Sequence, residues 1–188
     1  AQCDWDVYFE DDFRYRLDGL KSWQGDGIIA DFDNPEVESL LQDTSIPTVA
    51  VGGSYHHLDD YPRLPYVATD NSALVRTAYE HLKNKGLGQF AFYGVPSTAY
   101  TRWSHEREKA FEKQVQADGF VPHIYQGLST SAEQWDSAQQ DLEAWLINLP
   151  KPIGLIAVTD SRARHILQAC DHLNILVPEE VAVVGIDN

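Results

Sequence analysis

Four apolar runs of this 188-residue chain end on an aspartate: residues 27–31 (GIIAD), 65–70 (PYVATD), 153–160 (IGLIAVTD) and 181–187 (VAVVGID). An ionised carboxylate only accepts hydrogen bonds and takes several at once, so carboxylates gathered on one crevice suit a ligand rich in hydroxyl donors. A sugar or polyol is such a ligand. Other chemistries find less support. His56 and His57 are adjacent and point apart in an extended loop, His105 stands beside Glu106, and neither HExxH nor CxxC occurs, so no metal is expected. Gly52 and Gly53 follow a strand, but GxGxxG and GxxxxGK(S/T) are both missing, and a phosphate-bearing cofactor is not expected either. No GxSxG elbow marks a nucleophile, and Ser54 in GGSYH is the only faint candidate.

The same four runs do not alternate polar and apolar residues, which is the pattern of parallel strands covered on both faces. A polar residue just past such a strand sits at the carboxyl edge of the sheet, where open α/β sheets bind ligands. Helices fall between the strands. Asn34 and Pro35 open a helix over 35–43 with a capping side chain and proline at its first position. Val75, Ala78, Tyr79 and Leu82 form one stripe of a helix over 72–85 that Gly86 stops. Ala110, Phe111 and Val115 face inward from a helix over 102–118, and Ala163, Ile166, Leu167 and Cys170 do so over 161–173. Ser131 and Gln134 predict a capping box that opens a helix through 149, with Trp135, Ala138, Leu142, Trp145 and Leu146 on one stripe. Further strands are expected at 5–10, 47–51, 89–95 and 123–125, with a short helix over 13–23. The aperiodic stretch 54–64 (SYHHLDDYPRL) is a loop, either an excursion over the site or a surface flap. Strand and helix alternate, so parallel sheets with right-handed crossovers follow.

Composition narrows the partners. The chain is 43% apolar and 11% aromatic, as an ordinary globule is, and its 29 acidic against 14 basic residues give a net charge of −15. That charge opposes contact with a phosphate backbone or an anionic membrane, so direct DNA or membrane binding by this segment is not expected. No apolar run reaches bilayer-spanning length and no leader pattern opens the chain, which predicts a soluble, cytoplasmic protein. Cys3 and Cys170 are far apart and read as buried thiols. A lobe boundary is expected near Asp70, and a crevice between lobes is the natural place for a small ligand.

Residues 70–86 (DNSALVRTAYEHLKNKG), Gly94, residues 107–111 (REKAF) and residues 158–188 resemble the effector-binding core of the lac and purine repressor family, which is built like periplasmic sugar-binding proteins. The segments DGIIADFD, VGGSYH, FAFYG, AVTDSRARHILQ and VGIDN carry a closer resemblance to the xylose operon regulators. Those share the core and bear a C-terminal DNA-binding domain of the AraC type. The resemblance spans nearly the whole chain. It implies an α/β, periplasmic-binding-protein-like fold of two parallel-sheet lobes with a cleft between them. Residues 1–69 would form the first lobe, 70–184 the second, and 185–188 the start of the crossing back. The family's core starts one strand and one helix earlier and continues beyond VGIDN, so the chain reads as truncated at both ends with an incomplete first lobe. The function implied is that of a non-enzymatic, cytoplasmic, homodimeric sensor for a sugar, D-xylose, touching DNA only through a domain absent from this chain. Two alternatives stand beside it: an extracytoplasmic sugar-binding protein of a transporter, and a sugar-handling enzyme with a carboxylate pair such as Asp31 and Asp187.

The resemblance also implies site residues. Arg107, with Ala110 and Phe111, matches the family's R-x-x-(G/A)-(F/W) pattern, whose arginine grips effector oxygens with its rigid fork of donors. Its rival role is a helix-surface pair with Glu108 or Glu112. Asp187 matches the aspartate of VxGxD and either binds the effector or braces the crossing. Asp160 stands where the family has N-D, but Thr159 replaces the asparagine, so Asp160 is a ligand contact or a helix cap. Asp31 is preferred over Asp33 for sugar hydroxyls, since Asp33 and Asn34 also read as a cap. Asp70 and Asn71 are hinge or contact residues. Trp103, one turn before Arg107, offers an indole to the C–H face of a sugar ring or packs in the core. Arg107→Ala is expected to abolish sugar-dependent stabilisation while leaving the sugar-free melting temperature nearly unchanged.

Overall fold

The computed structural model describes residues 4, 6–9, 19, 23–55 and 57–186. β1 (Ile28–Asp31), β2 (Thr48–Gly53) and β3 (Tyr66–Thr69) make a parallel sheet of order β1-β2-β3. Asp31 pairs with Val51 and Gly53 with Thr69, so the three strands finish close together along one edge. Helix α1 (Pro35–Leu41) starts as its sequence dictates: Asn34 Oδ1 accepts from Glu36 N at 3.0 Å and Val37 N at 3.5 Å. Its Val37 and Leu41 pack on Ala30, Phe32 and Ala50. On the other face Ile29 and Val67 are exposed.

A second parallel sheet of order β5-β4-β6-β7 is built from β4 (Phe90–Tyr93), β5 (Pro122–Tyr125), β6 (Ile153–Ala157) and β7 (Val181–Gly185). The central strands β4 and β6 are buried at every residue, which is why FAFY and IGLIA carry no polar alternation. Helices α2 (Asn71–Asn84) and α3 (Arg102–Ala117) cover one face, placing Val75, Tyr79, Leu82, Phe111 and Val115 against Phe90, Phe92 and Ile156. Helices α4 (Trp135–Asn148) and α5 (Asp160–Leu173) cover the other, placing Leu142, Leu146, Ile166 and Cys170 against Ala91, Tyr93 and Leu155. The parallel-sheet α/β architecture is as expected. Gly86, at φ +85°, ends α2 in a backbone region that a side chain disfavours.

Several local expectations change. Residues 6–9 form no strand, and Val7 and Phe9 are exposed, while the Tyr8 ring lies against Trp23 at a centroid distance of 5.6 Å. The helix expected over 13–23 falls almost wholly outside the described residues, as does Cys3. The capping box at Ser131 does not form. Instead Gln134 N closes a turn on Ser131 O at 3.0 Å, and α4 begins at Trp135 without a side-chain cap. The loop 54–64 contains a short 3₁₀ turn at Leu58–Asp60 and folds back on itself through Tyr55, Tyr61 and Tyr66, whose ring centroids lie 4.9 to 5.7 Å apart. Among the described residues no helix is long and apolar enough to cross a membrane.

Candidate functional site

Helix α3 aims two residues of one face, Trp103 and Arg107, at the carboxyl edge of the second sheet. Arg107 is 3% exposed, so it is not a surface arginine. Its Nε donates to Asn71 Oδ1 at 3.0 Å and its Nη1 to Val158 O at 2.8 Å, and the guanidinium lies 5.0 Å from the Trp103 ring. Val158 directly follows β6, and Ile186, which follows β7, donates its N–H to Ala157 O at 3.1 Å. Arg107 therefore sits where β6 and β7 both end.

Asn71, the first residue of α2, ties this corner to the first sheet: its backbone N–H donates to Ser54 Oγ, just past β2, at 3.3 Å. Its Nδ2 is buried and finds no acceptor among the described residues. Gly53, the last residue of β2, permits the approach. A Cβ there would come 2.9 Å from Trp103 Cβ and 3.0 Å from Asn71 Nδ2.

On the first sheet's side of this corner stands Asp33. Its Oδ2 accepts from Gly53 N at 2.8 Å, and its Oδ1 accepts from Arg102 Nη2. Arg102 reaches across from α3 and donates Nη1 to Ser54 O at 2.9 Å and Nη2 to Gly53 O at 3.2 Å, while its guanidinium lies 3.7 Å from the Tyr55 ring centroid. Burial pushes the Asp33 carboxyl pKa upward, opposed by the Gly53 N–H and the Arg102 charge. Burial likewise raises the Tyr66 hydroxyl, which donates to Gly53 O at 3.0 Å. The corner thus offers fixed guanidinium and amide donors, a carboxylate acceptor and aromatic faces, a set suited to a neutral polyhydroxyl ligand.

The structure brings Arg107, Asn71 and Trp103 together. Asp31 is exposed and its Oδ1 accepts from Asp33 N at 2.8 Å, so it braces its own turn. Asp33 is tied to helix α3 through Arg102. Asp70 is exposed and caps α2, accepting from Ala73 N at 2.9 Å. Asp160 is not the cap of α5; Thr159 Oγ1 accepts from Arg162 N at 3.3 Å, and the Asp160 carboxylate packs over Gly185 at the end of β7. Asp187 lies outside the described residues. Sequence reasoning missed Arg102, although one signal was present. A cation in the first turn of a helix opposes the helix dipole, which points to a partner elsewhere. Among the described residues no group of three or more His, Cys, Asp or Glu is disposed to hold a metal ion.

Residues 1–72 match the XylR N-terminal domain model, and residues 79–188 match the model of the periplasmic binding protein-like domain. The chain belongs to the periplasmic binding protein-like family. Within relatives of that build, it is 53% identical over 188 residues to the xylose operon regulatory protein of Escherichia coli K12, covering all of this chain and 48% of the relative. It is 52% identical to the protein of the same name from Haemophilus influenzae, again over the whole chain and 49% of the relative. The chain spans about half the length of these curated relatives. A solved structure of a xylose-binding transcription activator matches with a TM-score of 0.86 at 51% identity, covering 96% of this chain and 45% of that one. A LacI family regulator from Silicibacter pomeroyi shares the fold alone, with a TM-score of 0.68 at 20% identity over 90% of this chain and 62% of that one.

Proposed function

We propose that this chain is the effector-sensing core of a sugar-responsive transcription regulator and that it binds D-xylose between its two lobes without catalysis. The observation that carries the reading is the buried Arg107 fork, held by Asn71 over Trp103 at the carboxyl edge of the second sheet, with Asp33 bonded to Gly53 at the same corner. The likeness to relatives named as xylose operon regulatory proteins supports it and favours a regulator over a transporter component or an enzyme. In this reading residues 1–69 and 70–184 are the lobes, and the crossing begins at 185. Arg107 and the Nδ2 of Asn71, which has no acceptor among the described residues, donate to sugar oxygens, Asp33 accepts from sugar hydroxyls, and Trp103 lies on the C–H face. Asp187 is proposed as a further acceptor from its sequence position alone, with Asp160 beside the end of β7. DNA contact belongs to a separate domain, and the working form is a cytoplasmic homodimer. The test is a thermal-shift panel of pentoses and hexoses. D-xylose should give the largest rise in melting temperature, and a panel flat across all sugars would refute the reading.

A further inference from the structure

Arg102 and its surroundings are built for something other than helix α3. Thr101 occupies the capping position of that helix yet makes no capping bond. Its hydroxyl instead donates to Pro96 O at 2.9 Å and accepts from Thr98 N at 2.8 Å, which ties the preceding loop into a braced arm. From this arm Tyr100 donates its O–H to Glu36 Oε1 at 2.7 Å, and Arg102 reaches Asp33, Gly53 O, Ser54 O and the Tyr55 ring. Every one of these partners belongs to the first lobe, whereas α3 is anchored in the second by Phe111 and Val115. The Arg102 and Asp33 side chains are only 23% and 18% exposed, so the pair is shielded more than a surface ion pair.

We infer that Arg102 is a positioning residue that latches the two lobes together and fixes the Asp33 carboxylate for the sugar. Its partners Asp33, Gly53 O, Ser54 O and the Tyr55 ring belong to the chain itself, so in this inference the latch sets how much of the protein is closed before sugar arrives. A ligand that binds only the closed arrangement then has an apparent affinity scaled by that closed fraction. The inference rests on the cleft being the sugar site, but its first readout does not need sugar.

Spin labels at Ser39→Cys in α1 and Lys113→Cys in α3, both exposed positions, report the interlobe distance in a Cys3→Ser, Cys170→Ser background. In Arg102→Met, which keeps the aliphatic stem, the sugar-free distance distribution should lengthen and broaden, and xylose affinity should fall by about five- to tenfold. Saturating xylose should restore the short distance. Arg102→Lys, which keeps the charge but loses the fork, should lie between. Should Arg102→Met not melt cooperatively, Tyr100→Phe carries the same test with a smaller shift. An unchanged sugar-free distribution in a variant that melts cooperatively, or tighter xylose binding, overturns the latch. Lengthening in a protein that binds no sugar supports the latch and tells against the sugar reading alone.

Discussion

At the residue scale, Arg107→Ala leaves Asn71 Oδ1 and Val158 O buried without their donor. That deprives two buried acceptors, and the sugar-free protein should lose about 2–4 kcal/mol of stability by urea denaturation. The burial of Arg107 therefore revises the expectation of an unchanged melting temperature. His165 gives a pH prediction. Glu143 Oε1 only accepts, so Gln139 Nε2 donates to it at 2.7 Å and Gln139 Oε1 faces His165 Nε2 at 2.9 Å. Nε2 therefore carries the proton, and Nδ1 accepts from the Tyr93 hydroxyl at 2.9 Å. Burial, then the Arg162 charge, hold the imidazole pKa below its usual 6.5. The unfolded chain binds that proton more readily, so stability present above pH 6.5 is lost as pH falls below it. Urea midpoints between about pH 8 and about pH 5 should show this loss, and His165→Gln should flatten it. Arg107 was legible because its motif is local. The Arg102–Asp33 pair was not, because its two partners lie 69 residues apart in sequence.

At the element scale, the carboxyl ends of β1 and β2 meet the start of α3 at Gly53. Gly53→Ala should wedge Trp103 and Asn71 apart, weakening xylose affinity by calorimetric titration more than it lowers the sugar-free melting temperature. Phe111→Ala, at the centre of α3's packing on Phe92, should cost about 3–5 kcal/mol by urea denaturation, since it leaves a cavity under a buried ring pair. Helices α2, α3 and α5 could be read from their apolar stripes, since each buries one face against a sheet, although Leu167 of the α5 stripe is exposed. The start of α4 could not, because Ser131 and Gln134 satisfy each other through a turn that the capping-box spacing mimics. Residues 6–9 carry strand-like side chains, but strand formation depends on a pairing partner that local sequence does not encode.

At the scale of the whole molecule, two parallel sheets turn their carboxyl edges toward one corner, and a sensor works if its ligand prefers the closed arrangement of the two. Equal affinity for open and closed forms would shift nothing. The net charge of −15 opposes contact between this part and a phosphate backbone. Xylose at a hundredfold excess over its Kd should stabilise the chain by about 2.7 kcal/mol, seen as a rise in Tm. The most direct measurement is a calorimetric titration of the 188-residue chain with D-xylose, wild type beside Arg107→Lys, which keeps the charge but loses the fork. The wild-type chain should bind one sugar saturably, and the substitution should abolish that binding. A folded wild-type chain that takes up no pentose, or an Arg107→Lys chain that binds xylose as tightly as wild type, would contradict it.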